Sequence, residues 1–197
     1  MHSWIWTTFG LLSIPLLVAL NGFFVAAQFA LLAVRRTRVE EMIAQGKKGA
    51  KAVEYAHSNQ TRSIATTQLG ITLTSLTLGW VGVAMLTGFL EPAFAYLPLG
   101  WSDVATHAVA VFIALTLITF MHVVFAELVP KMVALQNPAG MALWMARPTL
   151  IFLELNRPLI FLMNWSGNLI LRWCGFRPAK GSDNMARSVE ERAQTHR

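Results

Sequence analysis

Three long stretches of this chain carry no charged side chain and are mostly apolar. They cover residues 9–34, 63–90 and 104–126. A helix needs about 20 mostly apolar residues to cross the hydrocarbon core of a bilayer, and each stretch is long enough. The sequence therefore predicts an all-α membrane protein with three transmembrane helices.

The composition excludes several other classes of protein. Only 13% of the residues are charged and 55% are hydrophobic, whereas a soluble domain has about a quarter charged residues. This excludes an ordinary soluble enzyme and a disordered chain, and the single Cys excludes a disulfide-stabilised secreted scaffold. The formal net charge is +6, but the basic residues flank the apolar stretches and form no aromatic-interleaved patch. We expect the lipid bilayer as partner, and no nucleic acid.

The two loops between the apolar stretches differ in charge. The first loop contains seven Lys and Arg residues against three Glu, whereas the second contains Glu91 and Asp103 and no basic residue. Positively charged loops stay on the cytoplasmic side of a membrane. The chain is therefore expected in the plasma (bacterial inner) membrane, with its N-terminus outside and its C-terminus in the cytoplasm.

After the third stretch the apolar segments become short. Residues 132–146 and 159–171 are apolar but are interrupted by Arg147-Pro148, Glu154 and Arg157-Pro158. Burying those charges in a fourth crossing would cost several kcal/mol each. We expect juxtamembrane helices over residues 132–175 that form a belt on the cytoplasmic side, with one more tilted span as the alternative. The membrane domain then covers residues 1–177, and residues 178–197 form a polar linker or tail.

Several uncharged polar residues lie inside the first two spans. Asn21 and Gln28 share a face of span one, and Gln68, Thr72 and Ser75 share a face of span two. At a helical rise of about 1.5 Å per residue, Gln28 and Gln68 lie about 8–9 Å deep, and Asn21 and Ser75 about 18–20 Å deep. Such oxygen-bearing groups suit a hard cation such as Mg²⁺ or Na⁺. The alternative is that they only pack or hydrogen-bond between helices.

Glu127 is an acidic residue at the end of span three. Pro130 follows it and removes a backbone donor, which weakens the preceding helical turn and frees carbonyl groups. Lys131 lies one turn after Glu127 and His122 lies just over one turn before it. Glu127 is thus a candidate cation ligand with Lys131 as its counter-ion, although a structural ion pair is an alternative. His122 is either a hydrogen-bonded packing residue or a proton relay.

Three motifs in this order resemble the transmembrane domain of the cyclin M/CorC (haemolysin C-type) magnesium and cobalt transporter family. They are Leu20-Asn-Gly-Phe-Phe-Val-Ala-Ala-Gln-Phe-Ala-Leu31, Thr66-Thr-Gln-Leu-Gly-Ile-Thr-Leu73 and Phe125-Ala-Glu-Leu-Val-Pro-Lys131. The resemblance covers about residues 10–177. It implies a homodimer of three-helix membrane domains with a juxtamembrane belt, and Mg²⁺ efflux coupled to Na⁺. It also implies that nucleotide acts only through CBS domains, and we expect the chain to end about where these would begin.

The resemblance implies a cation site around Asn21, Thr72, Ser75 and Glu127. The chain departs from the magnesium-type pattern with Val25, Gln28, Ile71 and Ala126, and it is closer to the haemolysin-named branch. Since Mg²⁺ loses its water reluctantly, one carboxylate among neutral groups better suits a hydrated ion or Na⁺.

Three functions therefore remain open. The leading hypothesis is Mg²⁺ efflux coupled to Na⁺. The others are export of an organic cation such as a polyamine, and a membrane scaffold that regulates a partner without transport. No HExxH, GxSxG, P-loop or dinucleotide fingerprint is present, so we do not expect an enzyme.

Overall fold

The structure is a computed structural model that describes residues 2–95 and 103–175, with the side chains of residue 10 and of residues 12–94 and 103–175. Within these ranges it is helical and contains no strand. The expected tail, residues 178–197, lies outside the described residues. The helices are α1 (His2–Ala33), α2 (Arg36–Ala44), α3 (Ala50–Ser58), α4 (Gln60–Ala95), α5 (Asp103–Met121), the π-helical segment (His122–Leu128), α6 (Val129–Gln136), α7 (Pro138–Leu155) and α8 (Arg157–Trp173).

Three helical stretches in the described part of the chain are long and apolar enough to cross a membrane. They are Leu12–Ala33, Gln60–Phe94 and Asp103–Gln136. The all-α fold with three spans is therefore confirmed. The third stretch is longer than predicted, because the chain stays helical through the π-helical segment and α6.

The chain divides into two compact units, each built from two separate stretches of sequence. Unit one comprises residues 1–26 and 70–133, and unit two comprises residues 27–69 and 134–197. The helices α1 and α4 each contribute one part to either unit. Unit one contains most of the membrane-spanning length, and unit two contains α2, α3, α7 and α8.

Close helix approach in unit one depends on a small residue at Gly70. A Cβ atom at Gly70 would lie 2.5 Å from the ring of Phe24 in α1. Such a distance is well inside van der Waals contact, so any larger residue would push α1 and α4 apart. Phe24 is only 4% exposed, which shows that its ring fills this contact.

Unit two contains two short helices in the loop between the first two spans. The charge pattern of this loop predicts its side of the membrane but not these helices, α2 and α3. Before α3 the chain turns at Gly49, where φ is +93° and a Cβ atom would lie 2.5 Å from the carbonyl oxygen of Leu143 in α7. Both the positive φ and the close backbone contact require glycine.

The helices after the third span do not end where Arg147-Pro148 interrupts the apolar sequence. This pair lies inside α7, which runs through Pro148 to Leu155. The breaks lie instead at two asparagines: Asn137 caps α7 by accepting a hydrogen bond from the Gly140 N–H at 3.1 Å, and Asn156 separates α7 from α8. A buried cluster of Leu69, Leu153 and Ile160 packs these helices within unit two. The expected position of this belt at the membrane surface stays a prediction.

Candidate functional site

Asn21 lies at the centre of a hydrogen-bonded cluster in unit one. Its side chain is completely buried. Its Oδ1 accepts a hydrogen bond from the Thr74 hydroxyl of α4 at 2.7 Å, and its Nδ2 donates to the Ala126 carbonyl at 3.2 Å. The same Nδ2 lies 3.3 Å from Nε2 of His122. One amide thus connects α1, α4 and the π-helical segment.

The contact with Ala126 follows from the local sequence. In an α-helix the carbonyl of Ala126 would accept a hydrogen bond from the backbone nitrogen of residue 130, but that residue is Pro130 and has no N–H. The helix widens here into a π-helical turn, in which Val129 N–H bonds to the carbonyl of Val124. The Asn21 amide supplies a donor to the Ala126 carbonyl. This agrees with the prediction that Pro130 frees a carbonyl at this turn.

Gly22, which follows Asn21, allows Pro130 to approach α1 closely. A Cβ atom at Gly22 would lie 2.9 Å from Cγ of Pro130. Glycine at this position therefore lets α1 lie directly against the widened turn. The sequence Asn21-Gly22 thus brings a polar group and a close contact to the same place.

The π-helical turn also brings together His122 and Glu127, which are five residues apart. Their Nε2 and Oε1 atoms are 3.8 Å apart, and the Glu127 side chain is 45% exposed. Nε2 of His122 thus lies between the Asn21 amide, at 3.3 Å, and the Glu127 carboxylate.

The cluster therefore combines the carboxylate of Glu127 with the amide of Asn21, the hydroxyl of Thr74 and the imidazole of His122. Asn21 contacts both Thr74 and His122, while the Glu127 side chain is 45% exposed. Among the described residues, no group of three or more His, Cys, Asp or Glu residues is placed to hold a metal ion. A single carboxylate among neutral groups suits a cation that keeps part of its water shell.

The three predicted site residues on α4 have surroundings of their own. Ser75 donates its hydroxyl hydrogen to the Ile71 carbonyl of its own helix at 2.6 Å. Gln68 and Thr72 are exposed in this single chain. The residue opposite Asn21 is Thr74, which precedes Ser75 by one residue, about 1.5 Å along the helix and about 100° around it.

Gln28 and Lys131 were also predicted to serve the site. Gln28 belongs to unit two, where it lines a narrow cleft with Gln60, Ser63 and Thr67. Lys131 lies on α6 in unit one and is exposed. Its role as a counter-ion to Glu127 stays a prediction, as do the cation-binding roles of the other residues.

Thr74 is the residue of the cluster that the sequence analysis missed. A second row of small and hydroxylated residues recurs every three or four residues, as does the row of Gln68, Thr72 and Ser75. It consists of Thr67, Gly70 and Thr74. Thr67 and Thr74 are 1% and 6% exposed, so this row is the buried one. Gly70 within this row is the sequence feature that indicates the buried face, because close helix packing in membranes favours small residues.

Comparison with known proteins identifies the family of this chain. The sequence profile of the family described as Cyclin M transmembrane N-terminal domain matches residues 12–193. The chain is 40% identical over 181 residues to UPF0053 protein YhdT of Bacillus subtilis, covering 92% of this chain and 39% of that protein. It is 35% identical over 185 residues to UPF0053 protein YrkA of the same organism, covering 94% of this chain and 42% of that protein.

A more distant relative is also a UPF0053 protein. UPF0053 protein sll0260 of Synechocystis is 30% identical over 168 residues, which cover 84% of this chain and 37% of that protein. The chain thus spans about two-fifths of the length of these curated relatives. It belongs to the cyclin M transmembrane N-terminal domain family, which includes its UPF0053 relatives.

Proposed function

We propose that this chain is the membrane domain of a cation transporter that exports Mg²⁺, coupled to the entry of Na⁺. The observation that carries the proposal is the Glu127 carboxylate beside the hydrogen-bonded cluster of Asn21, Thr74 and His122. Glu127 belongs to the third membrane-spanning stretch, where an acidic residue is costly and is typical of an ion pathway. Membership of the cyclin M family also supports cation transport.

In this proposal each residue of the cluster has a separate task. Glu127 supplies the negative charge that attracts the ion. Asn21 and Thr74 hold the π-helical turn against α1 and α4, so that the carboxylate keeps its position without a bound ion. Lys131 follows Glu127 by one turn and replaces the cation as counter-charge when the ion leaves.

The proposal is tested by cation binding to the purified chain. We expect Mg²⁺ to raise the melting temperature of the chain, and Glu127→Gln to weaken Mg²⁺ binding by about tenfold or more, which corresponds to about 1.4 kcal/mol. The control variant is Glu154→Gln, which removes a carboxylate that pairs with Arg157 at 2.9 Å in unit two. Equal Mg²⁺ affinity of Glu127→Gln and the unchanged chain would contradict the assigned site.

The same assay separates the remaining functions. A polyamine that displaces Mg²⁺ and binds more tightly than Mg²⁺ would make the chain an organic-cation exporter. A chain that binds neither cation would be the regulatory scaffold. Na⁺ is expected to compete with Mg²⁺ for Glu127, because coupled exchange needs both ions at one carboxylate.

We also propose that the chain forms a homodimer through the exposed face of α4. Gln68 and Thr72 are exposed on this face, and no atom lies within 4 Å of a Cβ placed at Gly79. Polar groups in a span are costly against lipid, and small residues allow close helix packing. Gly79→Leu should convert the dimer to a monomer in light scattering of the purified protein, whereas Gly88→Leu on another face should not.

The orientation completes the proposal. The positively charged loop that contains α2 and α3 supports a cytoplasmic position for this end of the spans and for the C-terminus. Export then starts from this side of the bilayer.

A further inference from the structure

A groove of about 450 Å³ lies between α2 and α3 in unit two. One wall is a single face of α2, and the other is a single face of α3 with the first residue of α4. The lining residues are Arg36, Val39, Glu40, Ile43, Glu54, His57, Ser58 and Gln60.

Charges of both signs line this groove. The guanidinium of Arg36 donates to the Glu40 carboxylate at 3.1 Å, and both side chains remain largely exposed. The carboxylate of Glu54, on the opposite wall, has no hydrogen-bond or ion-pair partner among the described residues. Within the same part of the chain, Nδ1 of His57 is buried and also lacks a partner. The groove thus offers the guanidinium of Arg36, which is shared with Glu40, on one wall and the Glu54 carboxylate on the other.

A second, narrower cleft adjoins the groove, since Gln60 lines both. Leu31, Leu32 and Ile64 give it an apolar wall. Its two hydroxyl groups are used inside the protein: Ser63 donates to the Ala56 carbonyl, and Thr67 donates to the Ser63 carbonyl, each at 3.0 Å. The cleft is therefore apolar in character, whereas the groove is charged.

The two cavities adjoin the ends of two candidate membrane-spanning stretches. The first stretch ends at Ala33 and the second begins at Gln60, so α2 and α3 join them. The groove is lined by residues between the two stretches and by Gln60, and the cleft by Ala56 and by residues within the stretches. A charged cavity followed by an apolar one has the polarity of a phospholipid.

We propose that this composite cavity binds phosphatidylethanolamine, with its ammonium on Glu54, its phosphate on Arg36 and one acyl chain along the apolar wall of the cleft. A primary ammonium donates hydrogen bonds to a carboxylate, which the trimethylated ammonium of phosphatidylcholine does not do. Phosphatidylglycerol has no positive charge for Glu54. The phosphate needs a donor such as Arg36, whose guanidinium has further N–H groups beside the one that it donates to Glu40. The site does not depend on cation transport.

Native mass spectrometry of the purified full chain tests the proposal. The chain is titrated with dioleoyl forms of phosphatidylethanolamine, phosphatidylcholine and phosphatidylglycerol, and with soluble glycerophosphoethanolamine. We expect phosphatidylethanolamine to bind on the order of fivefold more tightly than the other two lipids, from its charge-assisted hydrogen bonds. Glu54→Gln should abolish this preference. Glu41→Gln, a matched change on α2 outside the groove, should keep it.

A further variant tests the acyl-chain cleft. Ile64 is 38% exposed, and Ile64→Trp should fill the cleft and weaken lipid binding while the melting temperature stays unchanged. Equal binding of the three lipids, or an unchanged preference in Glu54→Gln, would overturn the proposal. Binding of glycerophosphoethanolamine as tight as that of the lipid would also overturn it, because the site would then recognise a free headgroup.

Discussion

The side-chain amide of Asn21 makes three polar contacts inside the protein. Its oxygen accepts from Thr74, and its nitrogen faces the Ala126 carbonyl and His122. A buried polar group that loses its partner costs about 1–3 kcal/mol. The cluster is therefore stable only as a whole, and removing any member should disturb the position of Glu127.

Thr74→Val tests this dependence while keeping the shape of the side chain. The change removes the hydroxyl donor to Asn21 and should lower the free energy of unfolding by about 1 kcal/mol. Mg²⁺ affinity should fall as well, since Asn21 positions the turn that carries Glu127. Thermal unfolding and isothermal titration calorimetry measure the two effects.

The matched control for Thr74→Val lies on the same helix. Thr77 is exposed and donates only to the Leu73 carbonyl of its own helix, at 2.7 Å. Thr77→Val should leave Mg²⁺ affinity unchanged. Equal effects of the two substitutions would show that the contact between Thr74 and Asn21 does not matter for the site.

Single residues of the site differ in how well the sequence identifies them. Asn21 and Glu127 stand out because an amide and a carboxylate are costly in a span. Thr74 does not stand out from Thr72, Ser75 and Thr77, because a hydroxyl can always donate to its own helix. Sequence periodicity shows which residues share a face, but it does not show which face meets α1.

At the scale of elements, the π-helical segment determines where Glu127 lies. Pro130→Ala would restore a backbone donor, so that the helix could close its α-helical bond to the Ala126 carbonyl without Asn21. We expect the variant to keep or raise its melting temperature and to lose Mg²⁺ affinity. Such a gain in stability with loss of function is typical of a site that holds an irregular helix.

Pro148→Ala serves as the control for this prediction. Pro148 lies inside α7 in unit two, where α7 continues through it. The control should change stability without changing Mg²⁺ affinity. A loss of affinity in both variants, or in neither, would count against a role of the π-helical turn.

The turn before α3 gives a second prediction at this scale. Gly49→Ala would place a Cβ atom against the Leu143 carbonyl at a φ of +93°. We expect a loss of about 1–3 kcal/mol in the free energy of unfolding, measured by thermal or denaturant unfolding. Gly167→Ala in α8, where the added Cβ meets no atom within 4 Å, should have no such effect. Equal stability of the two variants would contradict the close contact between α3 and α7.

The elements themselves were predictable to different degrees. The three spans follow from long uncharged stretches, because a charge inside a bilayer is costly. The short helices α2 and α3 have no such signal, since they are held by packing within unit two and not by their own periodicity. The end of α7 at Asn156 rather than at Pro148 shows that a helix tolerates proline where tertiary packing compensates for the lost bond.

At the scale of the whole molecule, the uneven distribution of charge predicts the orientation. Cys174 is the single cysteine of the chain and is exposed. A membrane-impermeant maleimide should label it in inverted vesicles and not in right-side-out vesicles. The double variant His107→Cys, Cys174→Ala should show the opposite pattern, because His107 lies at the start of the third span and that span separates it from Cys174. The reverse result for both would place the C-terminus outside.

The central claim is that Glu127 carries a transported cation, and flux through the chain tests it most directly. Proteoliposomes that contain the chain and are loaded with Mg²⁺ should release it when Na⁺ is added outside. Glu127→Gln should reduce this release to about one tenth or less, in line with loss of the only charge in the cluster. Mg²⁺ efflux from Glu127→Gln vesicles at the rate of the unchanged chain would contradict the account.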